Sequence, residues 1–101
     1  MSFVETETRG QVMIVRMNRP ERLNALGTQM RHDLAAAWCE FRDSDALEIA
    51  ILTGTGRAFC AGEDMKESLA EGTPGGKTHP DDDPFRQGTL KKPVIAAING
   101  F

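Results

Sequence analysis

One stretch of the sequence decides the fold: AFCAGEDMKE, at residues 58–67. An apolar run at residues 49–52 and a turn, TGTG at 53–56, precede it, and a segment that can form a helix follows it. A strand, a glycine-containing bend and a helix start bring backbone N–H groups to one point. Such a point can hold a developing negative charge, as an oxyanion hole does. On these residues alone, a plain strand-to-helix connection is an equally good interpretation.

The composition argues against several broad classes of function. The chain has 101 residues, which suffices for one small domain. Twelve basic and fifteen acidic residues give a net charge of −3, which argues against a general nucleic-acid binder. No apolar run approaches the ~20 residues that span a bilayer, and the first residues lack the features of a secretory signal. Cys39 and Cys60 are isolated, so the sequence predicts no disulfide framework and no metal site, and a cytoplasmic location fits best.

Apolar periodicity predicts an α/β arrangement in the order ββ-α-β-α-β. In the second strand, Met13, Val15 and Met17 point to one face. Arg9-Gly10 predicts a tight hairpin, and helical spacing of apolar residues predicts an amphipathic helix with Thr28 as its N-cap. The predicted strands are 3–8, 12–17, 47–52 and 94–98, and the predicted helices are 28–42, 65–71 and part of 85–90. The predicted loops are 19–27 and, at the surface, 72–84.

Two glycine-rich patterns fail the tests for nucleotide-binding motifs. After GTG at 54–56, a dinucleotide fingerprint needs a third glycine three residues later, where Phe59 stands. GGKT at 75–78 looks like the end of a phosphate-binding loop, but Glu71 replaces the first glycine of that motif. A dinucleotide or nucleoside-triphosphate binder is therefore kept only as a third hypothesis.

Neither histidine is part of a catalytic pattern. His32 lies between Arg31 and Asp33 on the predicted helix and is expected to be solvated. His79 precedes three aspartates, 81–83, which could attract a divalent cation. No calcium-binding loop surrounds them, so a solvated charge run is the favoured interpretation. A Ser-His-Asp triad cannot be built from these residues.

Two further short sequence motifs, or words, accompany the central stretch: NRPERLNAL at 18–26 and KKPVIAAINGF at 91–101. Together, in this order, the three words closely resemble the enoyl-CoA hydratase/isomerase (crotonase) family. The resemblance runs from about residue 12 to residue 101, and only the loop at 70–87 matches nothing in it. It implies an α/β fold, the N-terminal half of a crotonase-like (ClpP/crotonase) spiral of ββα turns.

The resemblance also implies how the chain is organised and assembled. Residues 1–101 would be the N-terminal portion of a crotonase-like core domain, ending before the second glycine of the oxyanion hole. The carboxylates that act as acid and base in family hydratases would also come later. Family members usually assemble as homotrimers or dimers of trimers.

By the same resemblance, Glu63 carries the catalytic role, because its backbone N–H would donate to the thioester carbonyl of an acyl-CoA. Gly62 would permit the close approach or a positive φ angle. No metal and no cofactor are implied, since the coenzyme A thioester is the substrate. For Arg22 and Lys66 a solvated surface charge is an equally good interpretation. The residues implied to bind substrate or CoA are Arg22, Ala25, Ala61, Gly62, Glu63, Asp64, Met65 and Lys66.

The function implied first is hydration of a trans-2-enoyl-CoA. Isomerisation, hydrolysis or another lyase reaction of an acyl-CoA would use the same oxyanion hole and stays open. A hypothesis of another class is a non-catalytic acyl-CoA-binding chain, which would apply if the protein ends at Phe101. The expected partner is therefore an acyl-CoA, with neither nucleic acid nor membrane.

Overall fold

The computed structural model describes residues 2–66, 69 and 82–101. Strands β1 (Val4–Arg9) and β2 (Val12–Met17) form an antiparallel hairpin in which Val4 pairs with Met17 and Arg9 with Val12. The two residues between them include Gly10, whose φ of +58° suits a tight turn. The predicted hairpin is therefore confirmed, and its turn lies one residue later than Arg9-Gly10.

The sheet has four strands in the order β1-β2-β3-β4. Strand β3 (Ile49–Gly54) runs parallel to β2, and β4 (Val94–Ala96) runs parallel to β3. Parallel neighbours need a crossover connection, and helix α1 (Thr28–Asp43) provides the one between β2 and β3. The predicted strands are confirmed with shifted ends: β3 begins two residues later than predicted, and β4 ends two residues earlier.

The hydrophobic core lies between α1 and one face of the sheet. Met13, Val15 and Met17 all point into it, as their alternation predicted. Helix α1 contributes the buried side chains of Trp38 and Phe41 to this core. The helix bounds match the prediction within one residue, but the N-cap was predicted wrongly. Gly27 occupies that position without a side-chain cap bond, and its carbonyl accepts from the N–H of Arg31.

Three predicted segments differ from the structure or lie outside it. Pro20–Arg22 forms a short 3₁₀ helix inside a segment that was predicted to be a loop. Residues 84–88 form turns instead of a helix, and Gly88, with φ +73°, interrupts any helical continuation. The helix predicted at 65–71 and the loop predicted at 72–84 fall largely outside the described residues. Among the residues described, no helix is both long enough and apolar enough to cross a bilayer.

Candidate active site

The turn that follows β3 is the scaffold of the candidate site. Its first glycine, Gly54, lies so close to the following segment that a methyl group there would overlap the carbonyl oxygens of Ala58 and Phe59. Gly56 has φ +88°, which favours glycine. The two glycines therefore serve the turn, as the failed dinucleotide fingerprint indicated.

Asn24 holds this turn from the protein interior. It is fully buried, and its φ of +55° is one that asparagine tolerates better than most residues. Its side-chain amide donates to the carbonyl oxygens of Thr55 and Ala58, at 3.1 and 3.0 Å. Its side-chain oxygen accepts from the N–H of Arg19 at 2.8 Å. The side chain thus satisfies three backbone groups and joins the word at 18–26 to the turn.

Asn99 holds the same turn from the outer side. Its amide donates to the carbonyl oxygens of Gly56 and Ala58, at 3.0 and 3.2 Å, and its side-chain oxygen accepts from the N–H of Gly54 at 3.0 Å. Asn99 is exposed, in contrast to Asn24. The sequence words contain both asparagines, but their clamping role was missed. An asparagine that follows a strand or a tight bend was the signal that could have indicated it.

The chain after Asn99 packs directly against the stretch that leads to the bend. A methyl group on Gly100 would overlap the carbonyl oxygen of Arg57, so the backbones touch there. The carbonyl oxygen of Phe101 accepts from the N–H groups of Phe59 and Cys60, at 2.6 and 3.0 Å. Residue 101 therefore lies beside the residues that immediately precede the bend.

The bend itself is centred on Gly62, which has φ +99° and no atom within 4 Å of where a Cβ would lie. The N–H of Leu26 donates to the carbonyl oxygen of Gly62 at 2.6 Å, and the N–H of Asp64 donates to the carbonyl oxygen of Leu26 at 2.9 Å. Leu26 and Glu63 form a single parallel bridge between these two bonds. The positive φ that the sequence allowed at Gly62 is thus present.

This bridge fixes the direction of the Glu63 amide. The Gly62 carbonyl and the Glu63 N–H belong to one trans peptide group, so they point in opposite directions. Since the carbonyl points at Leu26, the N–H of Glu63 points to the opposite side of the segment. The geometry presents this amide on the side that Leu26 does not cover, which an oxyanion donor requires.

Asp64 joins the bend to the word at 18–26. Its side chain is only 2% exposed, and its two oxygens accept from Arg22 Nη2 at 2.6 Å and Arg19 Nη1 at 3.3 Å. The Arg19 guanidinium also lies 4.5 Å from the centre of the Phe3 ring. The sequence placed Asp64 and Arg22 at the same site but did not predict that they touch each other.

The other predicted binding residues belong to the same two segments, the word at 18–26 and the stretch at 61–66. Ala25 is buried, with 7% of its surface exposed. The N–H of Ala61 donates to the carbonyl oxygen of Leu23 at 3.0 Å, and the Ala61 side chain is exposed. Met65 and Lys66 are both exposed. The structure therefore brings all eight predicted binding residues into one neighbourhood, where the 18–26 word faces the bend.

A cavity of about 480 Å³ opens beside this neighbourhood, between α1 and β3. It is mostly apolar, but Arg31 lines it with a side chain that is only 11% exposed. One Arg31 nitrogen lies 3.9 Å from the carboxylate of Glu63. From the sequence, Arg31 was named only as a neighbour of His32. The pattern of a predicted helix does not show which of its charged side chains line a cavity. The residues lining the cavity are Met17, Leu26, Arg31, Leu34, Trp38, Leu52, Phe59, Cys60, Asp83, Phe85 and Arg86.

Charged groups outside this neighbourhood show no second site among the described residues. None of them forms a group of three or more potential metal ligands. His32 is exposed, as predicted, and His79 lies outside the described residues. The pKa of Glu7 is lowered by hydrogen bonds from Arg9 and Arg16, on the exposed face of the hairpin.

Comparison with known proteins identifies what this arrangement resembles. The family model for enoyl-CoA hydratase/isomerase matches residues 7–101. "Probable enoyl-CoA hydratase 1, peroxisomal" from Arabidopsis thaliana is 39% identical over 95 residues, which cover 91% of this chain and 35% of the relative. Carnitinyl-CoA dehydratase from Proteus mirabilis is 41% identical over 104 residues, covering 93% and 37%.

Solved structures give the same answer for the fold. A crystal structure of enoyl-CoA hydratase from Mycobacterium tuberculosis H37Rv superposes with a TM-score of 0.80 at 34% identity. The match covers 99% of this chain and 39% of that one. The chain has the fold of the N-terminal part of these enzymes, as predicted, and spans about two fifths of their length or slightly less.

Proposed function

Because the chain belongs to the enoyl-CoA hydratase/isomerase family, we propose that the protein transforms acyl-CoA thioesters, with hydration of a trans-2-enoyl-CoA as its reaction. The observation that carries this proposal is the direction of the Glu63 amide. The bond between Leu26 and the Gly62 carbonyl turns this N–H away from the 18–26 word. A substrate carbonyl on that side would accept a hydrogen bond from the Glu63 N–H.

In the proposed mechanism, the Glu63 N–H donates to the thioester carbonyl oxygen. Water addition to the β carbon passes through an enolate-like state, whose negative charge gathers on that oxygen. A preorganised donor stabilises this state more than the ground state, and losing one donor typically costs ~3 kcal/mol. The second donor and the acid–base carboxylates would come from residues after Phe101. Phe101 itself lies beside Cys60.

Coenzyme A would be held by the residues around the bend. Ala25 would line the entrance, and the Ala61 carbonyl would accept from the adenine amino group. Asp64, Met65 and Lys66 would border the acyl group. Arg22 would face the phosphates or the pantetheine with the part of its side chain that remains exposed, which is 32%. No cofactor beyond the thioester substrate is proposed.

A matched pair of glycine variants tests the proposal in the protein at full length. Gly62→Ala and Gly88→Ala both place a methyl group at a positive φ with no atom within 4 Å. We expect Gly62→Ala to lower kcat/KM for hydration of crotonyl-CoA by about 100-fold, since a misdirected donor loses its stabilisation. Gly88→Ala should leave the rate unchanged. Equal rates for both variants would place the oxyanion donor elsewhere.

Three further outcomes separate the alternative functions. Turnover of a 3-enoyl-CoA with no hydration would favour an isomerase, and release of free coenzyme A would favour a hydrolase. Tight binding of acyl-CoA without any turnover would favour the non-catalytic hypothesis. Calorimetry with NAD and ATP in place of the thioester tests the nucleotide-binding hypothesis.

We also propose a homotrimer or a dimer of trimers, working in the cytoplasm. Both cysteines are free thiols, which suits a reducing compartment. Light scattering on the eluting protein would test the assembly, and a monomer would contradict it. Imaging of the tagged protein would test the location, with peroxisomal signal as the opposing result, since the name of the Arabidopsis relative includes that compartment.

A further inference from the structure

We propose that Asp64 is a positioning residue that sets the direction of the Glu63 amide through Arg22 and Arg19. This inference rests on the proposed function, since it assigns a task to a residue next to the proposed donor. The resemblance implied only that Asp64 binds the substrate or coenzyme A. The contacts of its carboxylate indicate a positioning task in addition.

The first step of the argument is the location of the carboxylate. Asp64 directly follows Glu63, and its side chain is 2% exposed, whereas those of Arg22 and Arg19 are 32% and 18% exposed. A buried charge is costly unless charged and hydrogen-bonded partners satisfy it. Here two guanidinium groups supply those bonds, and both come from the word at 18–26. The ion pairs therefore tie this word to the bend.

The second step is what the tie controls. Leu26 belongs to the same word, and its N–H holds the Gly62 carbonyl at 2.6 Å. That carbonyl and the Glu63 N–H share one peptide plane, so any movement of Leu26 relative to the bend rotates the donor. Asp64 and the bonds of Leu26 thus fix the bend on both sides of Glu63. A donor held in this way is preorganised for the charge that develops on the substrate.

The third step concerns Arg22. Its Nη2 donates to Asp64 at 2.6 Å, so part of its charge is already compensated before any coenzyme A binds. Neutralising Asp64 would leave two guanidinium groups without their carboxylate. The thioester would then meet a stronger positive charge but a less well-directed amide. Turnover should therefore fall without any loss of binding.

The test compares Asp64→Asn with Asp43→Asn in the protein at full length. Asp43 is also paired with an arginine, Arg42, but lies exposed at the end of α1. Each variant is bound to a chromophoric aromatic enoyl-CoA, whose absorption moves to longer wavelength when its thioester carbonyl is polarised. The shift is normalised to bound ligand, so a partly unfolded sample does not alter it.

For Asp64→Asn we expect the absorption shift to fall to less than half and kcat to fall about 10- to 100-fold, because the donor is misplaced. The dissociation constant of the thioester should stay unchanged or decrease. Asp43→Asn should match the parent protein in all three measurements. An undiminished shift in Asp64→Asn, or a loss of binding that alone explains the lower rate, would overturn the inference.

A second variant covers the case in which Asp64→Asn does not fold. Arg22→Gln keeps the bond between Asp64 and Arg19, and we expect it to reduce the shift in the same direction but less strongly. A full shift in Arg22→Gln would contradict the coupling through this arginine. If the parent protein itself binds the thioester without any shift, the proposed function fails, and that outcome is distinct from either variant result.

Discussion

Two asparagines hold one turn in this molecule, and they differ mainly in burial. Asn24 and Asn99 both donate to the carbonyl oxygen of Ala58, and each also donates to one further carbonyl of the turn. Asn24 is fully buried, whereas Asn99 is exposed. The bond of Asn24 to the Ala58 carbonyl is buried, whereas the bonds of Asn99 with Gly54 and Gly56 are exposed and open to replacement by water. The comparison therefore separates the chemistry of a hydrogen bond from the effect of its surroundings.

The largest predicted effect is the difference between Asn24→Ala and Asn99→Ala. We expect Asn24→Ala to lower the free energy of unfolding by about 3 kcal/mol, because the Thr55 carbonyl and the Arg19 N–H lose their bonds to a buried side chain, and the Ala58 carbonyl keeps only the bond from Asn99. Alanine is also strained at φ +55°. Asn99→Ala should cost about 1 kcal/mol, since water can solvate the exposed groups. Urea denaturation measures both values, and equal losses would show that burial does not decide the contribution of these bonds.

A glycine variant tests the outer side of the turn next. Gly100→Ala forces a methyl group into the carbonyl oxygen of Arg57, so the backbones must separate. We expect a loss of about 2 kcal/mol, as for other overpacked sites. Gly10→Ala, in the hairpin turn, meets no atom within 4 Å and serves as the control for a methyl group without overlap, although its cost includes the strain of alanine at φ +58°. If Gly100→Ala lowers the free energy of unfolding no more than Gly10→Ala does, the backbones of Gly100 and Arg57 are not in tight contact.

Lys92 is partly buried, so its exposure is intermediate between those of Asn24 and Asn99. Its ammonium donates to the carbonyl oxygens of Phe41 and Ser44, at 2.8 and 2.7 Å, and so caps the C-terminal end of α1. We expect Lys92→Met to lower the unfolding free energy by about 1.5 kcal/mol. Lys91→Met, which changes an exposed neighbour, should have almost no effect. Similar losses for both lysines would contradict the capping role.

The sequence predicted those parts of the fold that depend on local patterns. Alternation in β2 placed Met13, Val15 and Met17 together on one face, which the structure buries, and apolar spacing placed α1 within one residue of its bounds. The strand ends were less accurate, because a strand ends where its pairing with the neighbouring strand stops. Strand β4 stops at Ala96, whose pairing partner is Leu52. No local signal contains that information.

The residues of the candidate site could be named from the sequence, but their contacts could not. The words placed Arg22, Asp64 and Gly62 together only by resemblance. Their mutual arrangement depends on residues about 40 positions apart in the chain, such as the pair of Arg22 and Asp64. A single sequence shows which side chains are charged, but it does not show which of two arginines an aspartate faces. The inward position of Arg31 was missed for the same reason.

The smallest predicted effect concerns the ion pair of Asp43 with Arg42, which is exposed, whereas the carboxylate of Asp64 is buried. A hydrogen bond from Arg42 lowers the pKa of Asp43, whose side chain is 65% exposed. Because the folded pKa lies below the unfolded one, the contribution of the pair is complete above the unfolded pKa and is lost as the pH falls through the folded one. We expect NMR titration to show this lowered pKa. Arg42→Gln, or 1 M salt, which shortens the screening length to about 3 Å, should return the pKa toward its ordinary value. At pH near 7, Asp43→Asn should leave the unfolding midpoint unchanged within error, since exposed pairs contribute little. A loss as large as that of Asn24→Ala would mean that exposure does not weaken polar contacts in this fold.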